Sequence, residues 1–152
     1  NLATAKPVLG INPAEKLLTN GIRGSLKYSD FEWCSWTNND SVSFTIDLLK
    51  PEVLNTLTLG CITNNGMAIH KPASVKVEVS DDNSNFREAA MQSFTPEEIF
   101  REGNFIENLP LKLGGTQGRY VRVSAKGPGV CPASHVRSGQ ASRIFFDEVM
   151  LE

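Results

Sequence analysis

A chain of 152 residues, 40% hydrophobic and 21% charged, has the make-up of one globular domain with a sizeable core. Fifteen basic residues against 17 acidic ones leave a net charge of −2, which argues against a nucleic-acid binder working through a basic face. No apolar run approaches the ~20 residues of a membrane-spanning helix.

The chain starts at Asn1 rather than Met, so it reads as a piece cut from a longer protein. Asn12 as N-cap and Pro13 at the first helical position predict one or two helical turns over 12–18. Residues 41–48 alternate polar and apolar, the period of a half-buried strand. Residues 53–62 repeat the pattern more loosely, with Val53, Asn55, Leu57 and Leu59 on one parity. Residues 74–80 are the cleanest strand: Val75, Val77 and Val79 point in, while Lys76 and Glu78 point out. Further strands are predicted over 86–94, 104–113, 119–125 and 143–151. In the last, Ile144, Phe146 and Glu148 share one face, and Phe145, Asp147, Val149 and Leu151 the other.

Turn residues separate these runs, as at Asn64-Asn65-Gly66, Gly114-Gly115 and Gly127-Pro128-Gly129. Thr95-Pro96-Glu97-Glu98 has the form of a capping box. Asp81-Asp82-Asn83-Ser84-Asn85 lacks the glycine and the final glutamate of a calcium loop and reads as a hairpin turn. Seven or eight short strands between turns predict an all-β antiparallel sandwich or jelly roll, without a second domain.

Three segments carry candidate chemistry. The loop 18–25, Leu-Thr-Asn-Gly-Ile-Arg-Gly-Ser, is punctuated by glycines and holds oxygens at Asn20 and Ser25. Calcium takes six to eight oxygens, and a carboxylate would have to come from Asp147 or Glu148 on the terminal strand; an ordinary turn fits the spacing as well. Trp33 and Trp36, both tryptophans of the chain, lie three residues apart. Each is either a sugar-stacking face or a core residue. The long segment 127–140 contains His135, Arg137 and Gln140, and the loop 64–70 ends in His70. Histidine, arginine and asparagine supply the donors and acceptors that read sugar hydroxyls, although a solvated loop with a satisfied histidine explains the same residues.

The three cysteines, Cys34, Cys61 and Cys131, form no disulfide framework. One disulfide plus a thiol, or three thiols, both remain open. Cys131 with His135 or His70 has the makings of a thiol–imidazole pair, but it sits in a Pro-rich turn without a nucleophile signature. Zinc spacing is absent as well. No catalytic residue is assigned.

Six motifs in order carry a resemblance over nearly the whole chain. They are the opening residues 1–7; the 18–25 loop followed by Trp33-x-x-Trp36; residues 42–48, ending Ile46-Asp47-Leu48; Pro72 through Asp82 with Phe86; Arg119-Tyr120-Val121-Arg122-Val123; and Phe146-Asp147-Glu148-Val149. Together they resemble the factor V/VIII type C, or discoidin-like, domains, which include the family 32 carbohydrate-binding modules. Cys131-Pro132-x-x-His135 before the last strand is similar to the C-terminal domain of bacterial chitobiases, the family 20 β-N-acetylhexosaminidases.

The resemblance implies an eight-stranded antiparallel jelly-roll sandwich with a ligand site in loops at one end and a structural calcium ion. Carried onto this chain, the metal set is Asn20, Ile22, Ser25 and Glu148. Asn20 stands where the family has aspartate, which removes a negative charge and weakens the site. The ligand loops hold Trp36, Asn64, Asn65, His70, His135 and Arg137. The implied role is a non-catalytic module of a secreted, periplasmic or surface glycosidase. It would bind galactose, N-acetylglucosamine or N-acetylgalactosamine as a monomer beside the catalytic domain of the same polypeptide. Two rivals are a bracing domain without ligand and an adhesion module for protein or phospholipid.

Overall fold

The computed structural model describes residues 17–36 and 41–152. The opening motif, residues 1–7, and most of the predicted first helix lie outside them. Among the described residues the strands are β1 (Cys34–Trp36), β2 (Val42–Asn64), β3 (Ser74–Ser80), β4 (Arg87–Ser93), β5 (Asn104–Lys126) and β6 (Ile144–Leu151). They pair antiparallel in the order β1-β6-β2-β5-β3-β4.

Four predicted strands merge into two long ones. β2 runs through both 41–48 and 53–62, and β5 through both 104–113 and 119–125. The register of the β2–β5 pair shifts between Asp47 and Glu52, where Leu49 takes a φ of 69°. Asp47 staples this bend. Its carboxylate accepts from Leu49 N–H at 2.8 Å and from Arg119 Nε and Nη2 at 2.7 and 2.8 Å. The Arg119 guanidinium pulls the Asp47 carboxyl down to about 2.

The bend lays one half of the sheet over the other. Phe44, Val77 and Val123 from the first half share a core with Leu59, Leu109 and Phe146 from the second. This is the predicted all-β jelly-roll sandwich.

β3 follows its alternation, with Val75, Val77 and Val79 all buried. One expectation fails for an identifiable reason. A second register shift between Leu54 and Thr56 reverses the parity of β2, so Leu54 is buried and Val53 is 58% exposed. β6 is buried on both faces from Ile144 to Val149. Ile144 and Phe146 enter the main core, while Phe145 joins Trp33, Ile62 and Ile69 in a second cluster on the outer side.

The turns follow their chemistry. Asp82 Oδ1 accepts from the backbone N–H groups of Ser84 and Asn85, which closes the β3–β4 hairpin. Thr95 and Glu98 form the predicted capping box at α1 (Pro96–Ile99). All three cysteines are buried free thiols.

Candidate functional site: a pocket beside a buried histidine pair

The β2–β5 ladder ends at the pair Asn64–Asn104. Beyond it the chain forms a 3-10 turn over Asn65–Met67, closed by Ala68 in the left-handed region at φ 54°. The long segment after β5 folds against this turn. Arg137 Nε donates to Gly66 O at 2.7 Å, and Arg143 Nη2 donates to Met67 O at 3.0 Å. The segment is also tied internally, with Cys131 N–H donating to Gln140 O at 2.8 Å and Gly139 N–H to Cys131 O at 3.0 Å. It is an ordered wall.

Between this wall and the stretch after α1 lies an open pocket of about 390 Å³. Asn65, Glu102 and Ser134 give it polar groups; Phe100, Pro132 and Val136 give it an apolar side. His135 forms part of its floor. The Asn65 Oδ1 is buried and has no hydrogen-bond partner among the described residues. Val136 beside it is 74% exposed.

Behind the pocket the two histidines of the chain meet. His70 Nε2 and His135 Nε2 are 3.0 Å apart. His135 Nδ1 accepts from Arg137 N–H at 2.8 Å, so in the neutral ring its proton sits on Nε2 and points at His70. Phe100 stands edge-on to both rings, at 5.1 Å from His70 and 6.1 Å from His135. Burial first, and then the neighbouring His135 ring, push His70 down to about 4, leaving it neutral at pH 7.

The predicted ligand residues therefore separate. Asn65 and His135 line the pocket. Asn64 ends β2 beside it, exchanging backbone hydrogen bonds with Ile69 at 2.9 and 3.1 Å. Arg137 ties the wall to Gly66 from an exposed position. His70 is wholly buried behind His135, so the structure corrects the expectation that it touches ligand directly. Trp36 is likewise corrected: only 2% exposed, it packs against Phe146 at 5.5 Å in the main core, on the face of β1 that the sandwich covers. Trp33 is also buried; its Nε1 donates to Ser25 O at 2.8 Å, and its ring lies where a Cβ on Gly24 would be.

The metal-set residues lie along the start of the described chain and β6. Asn20 Oδ1 accepts from Ile22 N–H at 2.8 Å, and Glu148 accepts from Gly21 N–H at 3.0 Å. Burial pushes the Glu148 carboxyl up. The Ser25 hydroxyl accepts from Lys27 N–H at 3.2 Å, and its own N–H donates to Asp30. Asn20, Ser25 and Glu148 each offer an oxygen of the kind a hard cation takes.

Comparison with known proteins decides the family, because the F5/8 type C domain model matches residues 7–138. The chain belongs to the F5/8 type C domain family. No curated protein sequence matches it. Among solved structures it is similar to CpGH89CBM32-5 from Clostridium perfringens, solved with GalNAc-β-1,3-galactose, at 16% identity and TM-score 0.62 over 98% of this chain and 91% of that one. It is similar to the C-terminal domain of a chitobiase from Bacteroides fragilis, at 17% identity and TM-score 0.55 over 100% and 91%. It also resembles the CBM32 of AlyQ in complex with 4,5-unsaturated mannuronic acid, at 18% identity and TM-score 0.56 over 99% and 91%.

In this F5/8 type C domain the sequence reading missed Phe100 and Glu102. The capping box at Thr95 marks where the chain turns back after α1, but nothing local says that it turns onto the 127–142 segment. Chemically, the pocket offers an apolar side, a carboxamide, a hydroxyl and a carboxylate to a ligand rich in hydroxyls. Glu102 is the one carboxylate among the described residues lining it.

Proposed function

We propose that this domain is a non-catalytic carbohydrate-binding module that holds a terminal sugar in the pocket of Asn65, Phe100, Glu102 and Ser134. The observation that carries the reading is that pocket: an aromatic edge beside a carboxamide, with Asn65 Oδ1 unpartnered among the described residues, at one end of a sandwich. Family membership supports it, as does the sugar seen in the similar Clostridium perfringens module. Galactose, N-acetylgalactosamine and N-acetylglucosamine are the proposed ligands. The proposed setting is a secreted, periplasmic or surface glycosidase of the chitobiase type, whose catalytic domain the module tethers to glycan as a monomer, raising effective concentration.

Calcium at the 18–25 loop belongs to the same proposal. Asn20, Ser25, Glu148 and carbonyls near Leu17 and Ile22 would hold it, and the ion would supply rigidity to the loop rather than a contact to sugar. Isothermal titration with each sugar, with calcium or with chelator, tests both parts. Sugar binding without calcium dependence supports the pocket alone. Absence of heat with every sugar up to the millimolar range sinks the carbohydrate reading and leaves a bracing domain.

A further inference from the structure

Three buried side chains next to the pocket bring metal-ligating atoms together. His70, Cys131 and His135 place a ring nitrogen, a thiol sulfur and a ring nitrogen within 4.8 Å of one another. His70 is 0% exposed, Cys131 3% and His135 8%. We propose that these three residues form a binding site for a thiophilic divalent cation, Zn²⁺ in the first instance, distinct from the calcium loop and independent of the sugar reading.

The geometry is close to what zinc requires. Tetrahedral zinc with bonds of about 2.0–2.1 Å to nitrogen and about 2.3 Å to sulfur holds two nitrogens ~3.3 Å apart and a nitrogen and sulfur ~3.6 Å apart. The two Nε2 atoms already stand at 3.0 Å, so they need only spread by a few tenths of an ångström. The thiol has to move in by about 1.2 Å at most from the 4.8 Å outer limit of the cluster.

The surroundings suit ligation. Cys131 is held by two backbone hydrogen bonds within its loop, to Gln140 and from Gly139. His70 Nδ1 faces the Ile99 backbone and makes no hydrogen bond of normal geometry among the described residues. A ring bound through Nε2 needs its proton on Nδ1, and an adjacent carbonyl stabilises that arrangement. Three protein ligands leave a fourth position, and the pocket that His135 lines can supply it with water or another oxygen ligand.

Binding has a definite proton balance. The Cys131 thiol gives up its proton to solvent when sulfur takes the metal. In the neutral His135 ring the proton sits on Nε2, and ligation through that nitrogen requires it to transfer to Nδ1. The Arg137 N–H then loses its acceptor, so metal binding opens the bond that closes the 135–137 turn. The metal site is thereby coupled to the wall of the pocket.

The test uses the whole chain, reduced and stripped with chelator, titrated with Co²⁺ and then Zn²⁺. The expected result is a thiolate-to-cobalt band in the near ultraviolet together with tetrahedral visible bands, saturating at one equivalent and displaced by Zn²⁺. Cys131→Ser should abolish the near-ultraviolet band. His135→Asn and His70→Asn should each weaken the metal at least ~10-fold, since losing even a hydrogen-bond partner of a ligand typically costs that much. Cys61→Ala, a change in the main core, should leave the band intact. Near-ultraviolet circular dichroism of each variant separates loss of fold from loss of ligand. Absence of the thiolate band in folded wild-type protein, or a band indifferent to all three substitutions, overturns the proposal and leaves a packed histidine pair.

Discussion

Arg23 Nε lies 2.7 Å from Asp147 Oδ2, and the same oxygen accepts from Gly24 N–H at 2.9 Å. One carboxylate on β6, wholly buried, thus anchors the glycine loop through a side chain and a backbone group at once. The approach is so close that a Cβ on Gly60 would drive into Asp147 Oδ1 and Arg23 Nη2. Replacing Asp147 with Asn leaves a guanidinium without its counter-charge. Full burial of both partners would make that cost about 3–5 kcal/mol. Arg23 is a third exposed and keeps part of its hydration, so a loss nearer ~2 kcal/mol is expected in urea denaturation. Gly60→Ala should destabilise through the same contact, and a Gly60→Ala protein as stable as wild type would show that the pair does not hold the loop.

Trp36 separates packing from recognition. Buried against Phe146, its replacement by Ala should cost about 3–5 kcal/mol of stability, as large-to-small core changes do. Any sugar affinity should survive in the fraction that remains folded. Asn65→Ala and Glu102→Ala should do the reverse, with stability within about 1 kcal/mol of wild type and sugar binding lost. Paired thermal melts and sugar titrations on the three variants check both directions.

The Asp47–Arg119 staple predicts a response to acid. Asp47 has its carboxyl pulled to about 2 in the folded chain, against the ordinary aspartate value near 4 that it regains on unfolding. A depressed carboxylate contributes stability that is complete above about pH 4 and drains away as pH falls toward 2. Asp47→Asn should therefore be less stable than wild type at pH 6, with the difference shrinking across that window. Denaturation midpoints of both proteins measured from pH 6 to pH 2 give the answer, and a constant gap would show that the pair is not the source.

How much of this was legible depended on whether burial was one-sided. β3 could be read because its valines face in and Lys76 and Glu78 do not. In β6 the split of Ile144 and Phe146 from Phe145 was legible, but the burial of both faces was not, since Phe145 is covered from outside by Trp33, Ile62 and Ile69. Alternation loses its meaning in a strand buried on both faces. Val53 misled for another reason, because the shift at Leu54–Thr56 is set by pairing with β5 and leaves no mark in β2 itself.

The site was legible in its loops and not in its neighbours. Asn65 and His135 were found because long polar loops with such residues are few in this chain. Phe100 and Glu102 reach the pocket only because the β2–β5 ladder ends at Asn64–Asn104 and carries the stretch after α1 across to the other loops. Trp36 was chosen for its chemistry, and burial, which no motif records, decided otherwise. The His70–Cys131–His135 cluster unites residues 61 and 65 positions apart with a close pair, a separation outside any sequence spacing rule for zinc.

The most direct measurement of the central claim is a nitrogen-15 NMR titration of the domain with galactose, N-acetylgalactosamine and N-acetylglucosamine. Sugar binding in the pocket predicts fast-exchange shifts confined to the amides of Asn65, Phe100, Glu102, Ser134 and their neighbours, saturating in the millimolar range or below. Amides of β3 and β4 should stay still. No shift with any of the sugars, or shifts clustered away from that pocket, would contradict the account.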